Sequence, residues 1–328
     1  MYVLYFVLSN IFHLKGVFVS IASNVQKSIN IWLEGAKPII KKLDGESEEE
    51  WEGIRSIYMS TLEKLFPAPV GVNFSSVDMG GIPTIVAIPD ELDTDRTLFY
   101  IHGGGYVHGG VNGYKGLIGN YAKCLKAKVY APDYRQAPEY PFPCPINDTF
   151  TAYLSLINKG IDPKKLMISG DSAGGAMLIT IMRKAKIENI PLPVAGVAIS
   201  PWADLTHSGN SAITRDGLDP ICNIKLLRQL AKNFLGKTLP NHPDVSPIFA
   251  DVKGLPPILI QVGENEVMLS DSIRLASHLG ENQVRVSLEI WPEMFHVWHL
   301  FSEILPAAEE ALENACFFLN NALSKHKI

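Results

Sequence analysis

"LMISGDSAGGAMLITIMRKA", residues 166–185, changes period in its middle: an apolar β-type run ends at a glycine-flanked turn, and a helical pattern follows. Gly170, Ser172 and Gly174 match G-x-S-x-G in the context that gives the pattern its meaning, a strand feeding a sharp turn into a helix. Such a turn exposes the Ser172 Oγ at the sheet edge, and the positions two residues away on either side have no room for side chains that would strike strand or helix. The backbone N–H of Ala173 points at the same spot. A phosphate-binding loop is the plainer alternative, but it accounts for neither the serine nor the segments around it.

Upstream, "TLFYIHGGGYVHGG" (97–110) places His102, Gly103, Gly104 and Gly105 directly after another apolar run. Three consecutive glycines let the backbone approach a ligand closely, and free N–H groups there can stabilise a developing oxyanion. In isolation the triplet is a flexible turn. Before G-x-S-x-G in an α/β chain it is the expected second half of an oxyanion hole.

Around these two segments lie further β-type runs: "VNFSSVD", "IPTIVAI", "KVYAP", "VAGVAIS", "PILIQVG" and "VRVSLEIW", most of the later ones separated by helical stretches. "TLFYI" and "PILIQV" are too continuously apolar for a sheet with one wet face. They predict a mostly parallel central sheet of about eight strands with helices on both faces, an α/β architecture. Residues 1–70 read as helical, with Ser47 and Glu50 as a capping box before the second amphipathic segment. A long insertion at about 203–246 carries the helical "NIKLLRQLAKNFLG", a natural cap or lid.

With "HGGG" at 102–105, "GDSAGG" at 170–175 and the linking "DYRQAPEYPFPCPINDTFTAY" at 133–153, the chain resembles the hormone-sensitive-lipase-like esterases, the bacterial family IV carboxylesterases of the α/β-hydrolase superfamily, over about 70–322. The resemblance implies an α/β-hydrolase domain at 71–328, capped by residues 1–70 and the insertion. It also implies a Ser, acid, His triad, oxyanion N–H groups from Gly103, Gly104 and Ala173, and hydrolysis of short- to medium-chain acyl esters without cofactor or metal.

The chain order of α/β-hydrolases puts acid and then histidine after the serine. Of nine histidines, only His296 and His299, in "WPEMFHVWHL", lie beyond Ser172 in a loop close to the last helix. His299 suits a packed position of the helical stretch after that loop, and the "FHVW" context is similar to the family's histidine segment, so His296 is the expected base. "VGENEVMLSDS" (262–272) holds three candidate acids. Asp271 has a strong competing role at a helix start, and Glu264 abuts the strand end. Glu266 lies 30 residues before His296, a separation similar to the family's, and is the expected acid. The chain departs here from the commoner family pattern of Asp followed by Pro-Leu, reading Glu266, Val267, Met268.

Other residues have two competing roles or a structural one. Asp171 either supports the site or caps the helix at Ala173; Tyr106, Trp202 and Phe295 either line a pocket or fill core; Arg135 and Glu139 are expected to pair. The four separated cysteines suit free thiols. A net charge of -5 with scattered Lys and Arg argues against nucleic acid, and the resemblance implies a small-molecule ester as partner. The apolar residues 1–21 read as a helix lying over the domain, with weak membrane association or secretion left open beside the preferred cytoplasmic location, and a homodimer is also left open. An amidase with the same triad and a non-catalytic small-molecule binder on the same fold are the alternative functions.

Overall fold

The structure is a computed structural model and describes residues 23–93 and 95–325, so the apolar residues 1–21 lie outside it. All eight β-type runs are strands: β1 Val72–Asp78, β2 Pro83–Pro89, β3 Thr97–Ile101, β4 Lys128–Pro132, β5 Leu166–Asp171, β6 Gly196–Ile199, β7 Ile258–Gly263 and β8 Val286–Trp291. They form one sheet in the order β1-β2-β4-β3-β5-β6-β7-β8, antiparallel only where β2 meets β1 and β4. Every residue of β3, β5, β6 and β7 is buried, which is why these segments read as continuous apolar runs.

Among the described residues, the helices longer than four residues are α1 Ser23–Leu43, α2 Trp51–Leu65, α3 Lys115–Leu125, α4 Cys144–Asn158, α5 Ala173–Ile187, α6 Ile224–Leu235, α7 Leu269–Glu281 and α8 Pro306–Lys325. α3 packs with α8 and α4 with α5, flanking the central strands. Strand register sets the position of the site: Ile101 pairs with Gly170, Asp171 with Ile199 and Gly263 with Trp291. The loops leaving β3, β5, β6, β7 and β8 therefore emerge along one sheet edge, the carboxyl end where open α/β sheets hold ligands.

α1, α2 and α6 lie over that edge. α2 buries Trp51, Ile54, Tyr58 and Leu62 at helical spacing, each worth about 1.5–3 kcal/mol if fully withdrawn from water. Its Arg55 donates to the carbonyls of Val107 (2.8 Å) and Ala137 (2.7 Å), tying the helix to the loop after β3. Trp32 of α1 packs against Phe66, Phe295 and Phe301, and Gln229 of α6 donates to the Leu43 carbonyl at 2.8 Å. Among the described residues no helix is long and apolar enough to cross a membrane.

Two local expectations are corrected. α2 opens at Trp51 with Glu50 as N-cap, and the Ser47 hydroxyl accepts only from the Glu49 N–H, because burial of Trp51 decides where the helix starts. Arg135 pairs not with Glu139 but with Asp148, through bonds of 2.8 and 2.7 Å, while Glu139 accepts from Arg55 at 2.6 Å. Packing of α2 on this loop brings in a second arginine from 84 residues away, which sequence neighbourhood does not reveal.

Candidate active site

Ser172 sits between β5 and α5 with φ 54° and ψ −119°, a conformation that a non-glycine residue holds only under constraint. The glycines on either side explain how the turn closes. A Cβ on Gly170 would lie 2.6 Å from the Gly174 carbonyl oxygen, and one on Gly174 would lie 2.1 Å from that of Ile101. The Ser172 N–H donates to Ile199 (2.8 Å), and the Ser172 carbonyl accepts from Trp202 N–H (3.0 Å), so the turn is pinned to the end of β6.

The Ser172 Oγ lies 2.9 Å from His296 Nε2, and His296 Nδ1 lies 2.9 Å from Glu266 Oε2. All three side chains are buried. The other Glu266 oxygen accepts from Ser200 Oγ at 2.7 Å and from Gly263 N–H at 2.6 Å, which fixes the carboxylate towards the imidazole. Burial by itself would push the His296 pKa down, but the hydrogen bond to the Glu266 carboxylate and its charge act against it and hold the imidazolium above the ordinary histidine range.

The two other acids of the loop point elsewhere. Asp271, in the first turn of α7, accepts from the N–H groups of Ala203 (3.1 Å) and Asp204 (2.9 Å) and braces the segment after β6. Glu264 accepts from Glu293 N–H at 3.3 Å. His299 is buried in a 3-10 turn with Nε2 3.0 Å from Gln261 Oε1, and burial lowers its pKa to about 3.

Asp171 resolves into a support for the glycine loop. Its Oδ1 accepts from Tyr100 OH (2.6 Å) and Gly103 N–H (3.0 Å), and its Oδ2 accepts from Tyr114 OH (3.2 Å). This corrects the expectation for Gly103: its single N–H is already directed at a buried carboxylate and is not available to a ligand. Gly104 and Gly105, at φ 107° and 59°, line the cavity beside Ser172 instead. Gly104 admits no side chain, since a Cβ there would lie 1.5 Å from the His108 carbonyl oxygen.

Of the three aromatics expected in pocket or core, Trp202 lines the cavity. Tyr106 is stacked on Phe234 of α6 with ring centroids 3.8 Å apart, and Phe295 packs with Trp32 and Phe301, so both join loops to the helices above them. Ser200 and Asp219 had no signal in the sequence beyond a strand end and a turn. Asp219 accepts from the N–H groups of Ile221 (2.9 Å), Cys222 (3.0 Å) and Val267 (3.4 Å), linking the insertion to the acid loop. Burial raises the Asp219 pKa to about 6 and that of Cys222 to about 11. The four cysteines are free thiols. Among the described residues no group of three or more His, Cys, Asp or Glu side chains is placed to hold a metal ion.

Comparison with known proteins places this geometry in context. A family profile described as an alpha/beta hydrolase fold matches residues 98–300. The chain is 40% identical over 227 residues to an acetyl-hydrolase of Streptomyces hygroscopicus, covering 69% of this chain and 76% of that protein. It is 30% identical over 295 residues to the putative acetyl-hydrolase LipR of Mycobacterium tuberculosis, covering 90% and 92% of the two chains. Among solved structures, an esterase from the bacterial hormone-sensitive lipase family superposes with a TM-score of 0.86 at 32% identity, covering 92% of this chain and 99% of that one.

Proposed function

This chain belongs to the hormone-sensitive-lipase-like, family IV carboxylesterases of the α/β-hydrolase fold and is a serine hydrolase of carboxylic esters, and we propose that it works through Ser172, His296 and Glu266 by way of an acyl-enzyme. The observation that carries the proposal is the pair of 2.9 Å contacts running from the serine hydroxyl through the imidazole to a buried carboxylate.

In this mechanism His296 Nε2 takes the Ser172 proton as Oγ attacks the ester carbonyl carbon. Glu266 holds Nδ1–H towards itself, fixing the tautomer and stabilising the imidazolium without taking the proton. The oxyanion is received by the N–H groups of Gly104, Gly105 and Ala173. His296 then protonates the leaving alkoxide, and water activated by the same imidazole releases the acid. α1, α2 and α6 act as the cap. Its Trp32, Ile39, Leu227 and Leu230 give the cavity an apolar wall suited to short- and medium-chain acyl groups.

Hydrolysis of p-nitrophenyl esters from acetate to laurate, by the wild type and by Ser172→Ala, tests the proposal. Turnover that peaks among the shorter chains and disappears in a folded S172A protein is the expected result. Activity that survives in S172A would overturn the assignment.

A further inference from the structure

The cavity above Ser172 is mostly apolar, and most of its polar lining is already engaged. Tyr114 OH donates to Asp171, and Ser172 and His296 bond to each other. Two polar side chains on the wall are different. His108, three residues beyond the glycine triplet, and Tyr58, on α2, meet edge to face with ring centroids 5.3 Å apart. Among the described residues His108 Nδ1 is buried without a hydrogen-bond partner, and no hydrogen bond engages the His108 Nε2 or the Tyr58 hydroxyl. The buried Nδ1 is out of a ligand's reach, so the His108 Nε2 and the Tyr58 hydroxyl are the polar atoms this wall still offers to a group brought into the cavity.

The chemistry of the imidazole narrows what that ligand offers. An unmet acceptor is tolerated in a protein interior more readily than an unmet N–H. The proton therefore belongs on Nε2, leaving the inaccessible Nδ1 as the bare lone pair. The ring is neutral at physiological pH, because burial, helped by the nearby Arg55 charge, lowers its pKa to about 3. A neutral donor on an apolar wall near the Asp171 carboxylate disfavours an anion and suits an uncharged oxygen.

Building on the serine mechanism above, we infer that His108 and Tyr58 form a polar subsite that accepts a neutral oxygen, such as an ether, hydroxyl or carbonyl, carried by the ester a few bonds from its scissile carbonyl. The preferred substrates are oxygenated esters rather than plain alkyl ones, and His108 sets that preference.

The test uses substrate pairs that differ only by oxygen in place of a methylene: p-nitrophenyl methoxyacetate against butyrate for the acyl arm, and 2-methoxyethyl acetate against butyl acetate for the alcohol arm. Within each pair the ratio of kcat/KM, ether over alkyl, is compared between the wild type and His108→Leu, so that intrinsic reactivity cancels. In at least one pair the ratio should fall about five- to tenfold in H108L, the worth of one hydrogen bond, and by less in Tyr58→Phe. If H108L does not fold, His108→Gln and Y58F serve in its place, with a smaller fall expected. Ratios within twofold of wild type in both pairs, with the alkyl esters still hydrolysed, would overturn the subsite alone. A wild type inactive on every ester would overturn the serine mechanism and the subsite with it.

Discussion

Glu266 and His296 meet at 2.9 Å through Oε2 and Nδ1, and the far oxygen of the same carboxylate is held by Ser200 and the Gly263 backbone. The acid is thus clamped from behind, so its length matters as well as its charge. Glu266→Gln should lower kcat by about 10⁴-fold with the fold intact, because the amide no longer selects the working tautomer. Glu266→Asp should also lose activity, since one methylene less makes the carboxylate release either the imidazole or the clamp. Steady-state kinetics on p-nitrophenyl butyrate, with circular dichroism as the check on folding, measures both.

Asp171 gives a separable test of the glycine loop. Asp171→Asn keeps one acceptor for Tyr100 and Gly103 and removes a buried charge, since burial already raises this carboxyl to about 6. Stability should change little while kcat falls about tenfold, a displaced oxyanion donor costing less than a deleted one. Asp171→Ala strands Tyr100, Tyr114 and the Gly103 N–H together and should cost about 3 kcal/mol or more by denaturant unfolding.

The pH dependence of turnover reports on His296. A general base works only when neutral, and the Glu266 carboxylate 2.9 Å away holds the imidazole above its ordinary range against the pull of burial. The acid limb of kcat/KM should therefore have a midpoint above about 6.5, the ordinary histidine value. In E266Q the residual activity should show that midpoint moved to lower pH. A wild-type midpoint below about 6 would contradict the arrangement.

Acid stability should follow His299. Burial depresses its folded pKa to about 3, so the unfolded chain takes up a proton that the folded one refuses as pH falls below the ordinary value. Its contribution is complete above about pH 6.5 and is lost on acidification towards 3, at about 1.4 kcal/mol per pH unit. Asp171 and Asp219, both raised to about 6, act in the opposite sense between about pH 6 and 4. His299→Asn isolates the histidine: its unfolding free energy, followed from about pH 6.5 to 4.5, should fall less steeply than that of the wild type by about one proton.

Much of the fold is legible along the chain. Each β-type run is a strand, and the loops carrying "HGGG", "GDSAGG" and "FHVW" emerge on one edge because parallel strands all point their carboxyl ends the same way. The capping box at Ser47 fails because a buried tryptophan outweighs a cap, and the Arg135–Glu139 pair fails because α2 supplies a competing arginine. His108 is visible as a second histidine beside the glycine triplet, but its lack of partners is a property of the packed cavity.

Period and glycine spacing act within a few residues, so the turn that carries Ser172, the succession of strands along the chain and the segment that carries His296 are all readable locally. Folding across the chain brings Glu266, which the family's spacing pointed to, against His296, and it directs the Gly103 N–H to Asp171, which no local pattern announces. An N–H has one direction and one hydrogen, and the acceptor that claims it here lies 68 residues away.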